Sequence, residues 1–156
     1  MAEKHPLEER ESVRALVTRS GRLLDDGRYE EFVDLFSRDG TYSLQARSDE
    51  LGKDMTWLTA DRSELTTLFK EYPQHVRDKA YRTHLVTPDE IVVSPGAGKA
   101  ISAFVVFRTD MAGQSTLYAV GHYEDELVIE DGAWKLKYRR TMLMTRQFST
   151  ATPMPL

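Results

Sequence analysis

Two runs of β-branched and aromatic residues, separated by a tight-turn pair, constrain this chain more than any other feature. The first reads Val120-Gly121-His122-Tyr123-Glu124-Asp125-Glu126-Leu127 and the second Ala133-Trp134-Lys135-Leu136, with Glu130-Asp131-Gly132 between them. Asp-Gly tolerates the left-handed backbone that a short hairpin requires, so the block predicts two long antiparallel strands. A chain committed to such a hairpin must bury one of its faces.

Upstream the apolar period is helical. Val13, Leu16, Val17, Ser20/Gly21 and Leu24 form one stripe of a helix over Leu7 to Leu24, and charged residues fill the rest. Asp25-Asp26-Gly27 interrupts it. Tyr29, Phe32, Val33 and Phe36 then repeat the spacing until Arg38-Asp39-Gly40, which predicts a helical hairpin. Thr41 to Gln45 is a short strand candidate, and the polar stretch from Ala46 to Lys53 reads as a mobile loop before Trp57. Asp61 and Glu64 have capping-box spacing ahead of Leu65, Leu68, Phe69 and Tyr72, a third helix expected to end at Pro73.

Beyond Pro73 the period changes to two. Residues 82–93, 99–110, 115–129 and 133–146 are rich in Val, Ile, Thr, Phe and Tyr, and turn residues separate them at Ser94-Pro95-Gly96, Gly113 and Asp131-Gly132. Four consecutive strands in a meander follow. In the last, Trp134, Leu136, Tyr138, Met142 and Met144 are expected on a buried face, with Lys135, Lys137, Arg139 and Thr141 on a wet one. Ala103 to Phe107 is apolar on both faces, so helices should cover one side and a partner subunit the other. Helices followed by a curled antiparallel sheet define an α+β chain. Its 156 residues suit one domain, 1–156, with irregular tails at 1–6 and 149–156.

Composition removes several function classes. A net charge of -4 offers no basic field for a phosphate backbone, so nucleic acid is not an expected partner. No apolar run approaches the length of a membrane span, and residues 1–10 lack an apolar signal region, so no membrane partner and a cytoplasmic location are expected. With no cysteine the chain alone cannot hold a Rieske cluster or a thiolate zinc site. The four histidines, His5, His75, His84 and His122, show no i, i+4 pair, and no metal site is expected.

A general base can nevertheless be assembled from what remains. Asp25 ends the first helix and His84 begins the long sheet; a carboxylate that orients an imidazole makes a competent base, and Tyr42 and His122 are further candidates for the same pocket. The plainer alternative has Asp25 or Asp26 capping the second helix and His84 hydrogen-bonded and half-buried. Arg82 and Arg108 are candidates for recognising a ligand carboxylate through a bidentate contact. Glu124 and Glu126 share one face of their strand and Asp125 takes the other; pairing with Lys135, Lys137 or Arg139 is expected to outweigh any metal role.

The run Leu24-Asp25-Asp26-Gly27-Arg28-Tyr29-Glu30-Glu31-Phe32, the strand containing Arg82 and His84-Leu85-Val86, Val120-Gly121, and Asp131-Gly132-Ala133-Trp134-Lys135-Leu136 together resemble the small (beta) subunits of aromatic-ring-hydroxylating dioxygenases. Ser102 to Arg108 and the ending Pro155-Leu156 look closest to subunits of enzymes acting on terephthalate or salicylate. The resemblance implies a cone-shaped fold like nuclear transport factor 2 and cystatin, with N-terminal helices packed on a strongly curved, mostly antiparallel sheet. It also implies a structural chain without its own catalytic residues or cofactor. The partner large (alpha) subunit would carry the Rieske [2Fe-2S] cluster and a mononuclear Fe(II), NADH would supply electrons through a reductase, and a homotrimer of small subunits would sit in an α3β3 hexamer. Phe104, Val106, Tyr118 and Val120 are the interface candidates. Scytalone dehydratase and the ketosteroid isomerases share the fold. A rival expectation is therefore a stand-alone, cofactor-independent dehydratase, isomerase or cyclase using the Asp25–His84 pair in an internal pocket; a small-ligand-binding protein is a third.

Overall fold

The computed structural model describes residues 5–75, 78–150 and 154–156, so the expected irregular tails lie partly outside the described residues. Helix α1 (Pro6–Asp25) starts where the sequence provides a start: His5 Nδ1 accepts from the Leu7 N–H at 3.3 Å, a proline occupies the first turn, and Glu8 and Glu9 face the positive end of the helix dipole. Its buried side is Val13, Leu16, Val17, Ser20, Gly21, Leu23 and Leu24, the predicted stripe with Leu23 added.

Helix α2 (Tyr29–Asp34) is shorter than the spacing suggested, because Phe36 already belongs to strand β1 (Phe36–Ser48). Arg38-Asp39-Gly40 does not stop anything; it lies inside that strand. Gly40 is there because a Cβ at that position would sit 2.8 Å from the Leu136 carbonyl oxygen, where the pairing register with strand β6 (Ala133–Leu143) slips. The expected mobile loop over 46–53 is likewise corrected. Strand β1 runs on to Ser48, turns through Gly52 at φ 62°, and returns as β2 (Lys53–Asp61), paired from Thr41–Asp61 to Ser48–Lys53.

Helix α3 (Arg62–His75) carries the predicted reciprocal cap: the Glu64 N–H donates to Asp61 Oδ1 at 2.9 Å, and the Asp61 N–H donates to Glu64 Oε2 at 2.8 Å. It continues past Pro73 for two residues, because a proline in a last turn forfeits only one helical hydrogen bond. Phe69 stacks on Tyr29 (4.6 Å between centroids) and meets Phe32 edge-on, which ties α3 to α2.

Strands β3 (Tyr81–Ser94), β4 (Ala97–Thr109), β5 (Ser115–Glu130) and β6 form the predicted meander, and Asp131 (φ 51°) and Gly132 (φ 78°) make the predicted β5–β6 turn. The α+β class stands, with the helices at the front of the chain. The strong curvature does not, and the sheet, though mostly antiparallel, is mixed. All six strands form one open, mixed sheet in the order β2-β1-β6-β5-β4-β3, in which β1 runs parallel to β6 while β2 and β3 remain edges. The parallel seam could not be anticipated once β1 had been read as a five-residue fragment.

The expected two faces of β6 hold only for its first half. Trp134 and Leu136 are buried, but Arg139 and Thr141 are fully buried too, Tyr138 is half-buried and Met144 is 69% exposed. The cause is a bulge: Glu126 faces Tyr138 while Leu127 faces Leu136, so Lys137 is one residue more than β5 can match. An inserted residue inverts the alternation for everything after it.

Candidate active site and its relatives

Helix α1 and strand β3 bring Asp25 and His84 together. Gly21, one turn before Asp25, lets the helix lie directly on the strand; a Cβ there would stand 2.8 Å from His84 Cβ. Asp25 Oδ2 accepts the His84 backbone N–H at 2.7 Å, and Asp25 Oδ1 lies 2.6 Å from His84 Nδ1. Two bonds from one carboxylate fix the ring's position and, for a neutral ring, place its proton on Nδ1. Nε2 is left as the working atom. It is buried without a hydrogen-bond partner, on a side chain only 2% exposed, and the residue helps line a cavity of about 100 Å³ together with Leu24, Tyr29 and Tyr72. Neither Asp25 nor Asp26 caps α2, whose N-cap is Arg28; Asp26 accepts from Arg22 Nε at 2.8 Å instead.

Tyr42 and His122 stand apart from this pair. The Tyr42 hydroxyl, buried and therefore harder to ionise than an ordinary phenol, accepts the Leu156 N–H at 3.0 Å and donates to the Leu156 carbonyl at 3.4 Å. Leu156 in turn walls the Asp25–His84 cavity with Met154 and Pro155. The imidazole of His122 lies on the opposite face of β5, 3.2 Å from Glu124.

Arg82 and Arg108 converge on a carboxylate, and it belongs to this chain. Arg108 grips Asp78 with two bonds, Nε to Oδ2 at 3.0 Å and Nη2 to Oδ1 at 2.7 Å, and Arg82 Nη2 lies 3.6 Å from Oδ2. The Arg108 hydrogen bonds hold the Asp78 carboxyl far below the usual carboxylate range, against the opposing effect of burial. The Arg82 guanidinium also lies 4.7 Å above the Tyr118 ring and donates to its hydroxyl at 3.3 Å.

Sequence reasoning missed the largest polar group in the core. Arg139, 1% exposed, makes a bidentate pair with the fully buried Asp125 (2.8 Å for both bonds), donates to Ser20 Oγ at 2.7 Å and lies 4.1 Å over the Tyr123 ring. Burial alone would lower its pKa, but Asp125 outweighs burial and raises it above the ordinary value. The pairing of Asp125 with Arg139 was among those expected; its depth was not, because only the bulge at Lys137 turns Arg139 inward. Glu124 pairs with Arg140 at 3.2 Å on the other face.

Of the four interface candidates, Phe104, Val106 and Tyr118 point into the chain's own core and Val120 is half-buried on the outer face. That outer face also displays Leu85 (56% exposed), Leu117 (59%) and Met144 (69%). Among the described residues no group of three His, Asp or Glu side chains could hold a metal ion, and no helix is long and apolar enough to cross a membrane.

Residues 5–140 match the SnoaL-like domain family, and the chain belongs to it. It is a small beta subunit related to those of the ring-hydroxylating dioxygenase and sulfonate oxygenase families. It is 31% identical to the methanesulfonate monooxygenase hydroxylase subunit beta of Methylosulfonomonas methylovora, over 94% of this chain and 86% of the relative. It is 26% identical to the 2-aminobenzenesulfonate 2,3-dioxygenase subunit beta of an Alcaligenes species, over 86% and 90% respectively. A solved structure assigned to the beta subunit of an aromatic-ring-hydroxylating dioxygenase of Novosphingobium aromaticivorans superposes with a TM-score of 0.80 at 24% identity, covering 90% of this chain and 92% of that one, and so shares the fold.

Proposed function

We propose that this chain is the non-catalytic small subunit of a multicomponent oxygenase. Its large partner subunit would carry a Rieske [2Fe-2S] cluster and a mononuclear iron and receive electrons from NADH through a reductase, and the small subunits would form the trimeric part of an α3β3 assembly in the cytoplasm. The geometry that carries this reading is the size of the Asp25–His84 cavity. About 100 Å³, walled in part by Met154 to Leu156, is well below the roughly 300–1,000 Å³ of small-molecule sites, which makes it a poor fit for a ring substrate. The identity to a hydroxylase beta subunit over 94% of the chain supports it. The substrate of the assembly would be an organic acid, an aromatic carboxylate such as terephthalate or salicylate; the sulfonates named for both relatives support an anionic class.

Co-expression with a large subunit tests this: the two chains should purify together as a red-brown complex whose oxygenase turnover requires both. A second reading, cofactor-independent proton-transfer chemistry by this chain alone, is favoured by one observation, the unpartnered Nε2 of an imidazole oriented by Asp25. Turnover of a small organic molecule by the isolated chain, lost in His84→Ala, would establish that reading and overturn the first.

A further inference from the structure

Residues Met154–Leu156 reach the interior without belonging to a helix or a strand. Leu156 is 1% exposed and Met154 8%, and both pack in the same core as Phe32, Phe36 and Leu65. The backbone of Leu156 bonds to the Tyr42 hydroxyl on β1, its N–H at 3.0 Å and its carbonyl at 3.4 Å, while its cavity wall is shared with Arg82 and His84 on β3. Three strands, β6, β5 and β4, separate β1 from β3. The segment therefore lies across the inner face of the sheet, and Leu24, Tyr29 and Tyr72, one from each helix, line the same space.

We infer that Met154–Leu156 is a displaceable plug in a hollow the size of a tripeptide, and that the ligand able to replace it is a small apolar molecule bearing one amide. The plug's own chemistry defines that class. Tyr42 both accepts from an N–H and donates to a carbonyl, as an amide requires, and burial keeps its hydroxyl protonated by raising its pKa. Two buried apolar side chains hold the segment in, against the backbone freedom that three residues outside any helix or strand give up. Such a segment belongs to the low-stability end of a structure and opens while the sheet stays folded. The subunit reading concerns the closed state, so turnover by an opened chain would count against that reading and not against the plug.

Two measurements on the full chain test this. In hydrogen exchange of the parent, the Leu156 amide should exchange at least a hundredfold faster than the Tyr123 amide of the central strand β5, at a rate that low urea barely changes. The double variant Met154→Ser, Leu156→Ser removes the apolar burial that holds the segment inside, and should keep a cooperative melt. Calorimetric titration with the tripeptide acetyl-Met-Pro-Leu-amide should show saturable binding at least tenfold tighter to this variant than to the parent, whose hollow is open only part of the time. Adding Tyr42→Phe should weaken that binding about tenfold. Exchange of the Leu156 amide only through global unfolding, loss of the cooperative melt in the double variant, an absence of tripeptide binding to it, or binding indifferent to Tyr42→Phe would each overturn the inference and make the segment permanent core.

Discussion

Arg139 is the residue on which the interior depends most. Its guanidinium and the Asp125 carboxylate are removed from water together, and each is tolerable only because the other is present. Arg139→Met should therefore destabilise the chain by about 3–5 kcal/mol in urea denaturation, while the double replacement Arg139→Met, Asp125→Leu should recover most of the loss. Asp78 gives the complementary acid-side prediction. Its folded-state pKa is depressed, so the stability it contributes is complete above the ordinary carboxylate value near 3.9 and is lost as pH falls below that toward the folded value. Asp78→Asn should thus be less stable than the parent at pH 7 by about 1.5–3 kcal/mol, and the gap should narrow measurably at pH 3. Asp25 and His84 were legible as partners because a helix end and a strand start are positions that sequence patterns locate well. Asp78 was not, since it sits between a helix end and a strand with no period to assign it a direction.

At the scale of elements, what could be read was what had an uninterrupted period. The α1 stripe, the Asp61–Glu64 cap and the β5–β6 hairpin all appeared where expected. Strands β1 and β2 were obscured by polar composition: β2 is an edge strand whose residues are nearly all exposed or half-exposed, and Gly40 mimics a stop signal while serving a close approach. The two faces of β6 were misassigned past Lys137, since a bulge leaves no mark in composition. Glycines test the packing of these elements. Gly121→Ala would place a Cβ 2.2 Å from the Met142 carbonyl oxygen, backbone in the middle of the sheet, whereas Gly21→Ala meets side chains, His84 Cβ at 2.8 Å and Val86 Cγ2 at 3.0 Å. Gly21→Ala should cost about 1–3 kcal/mol and Gly121→Ala more, with thermal melts giving the order. Only the Gly21 variant should also shift the His84 ring resonances.

The whole molecule presents a sheet with helices on one side and an apolar outer face on the other. Leu85, Leu117 and Met144 are exposed there with Val120 beside them, an arrangement that an isolated soluble chain has no reason to keep. Leu117→Glu should leave the melting temperature of the chain within a few degrees of the parent but lower the mass of its assemblies in analytical ultracentrifugation. The parallel seam carries a different consequence. Strand β1 finds one of its two neighbours in β2 at once, but the other is β6, with Phe36 aligned to Leu136 about a hundred positions later. During synthesis on the ribosome the front of the polypeptide must therefore wait, one flank of β1 unzipped, until nearly all of the remainder has emerged. Such distant pairing slows folding and prolongs the interval in which a chaperone or a neighbouring nascent chain can capture that flank.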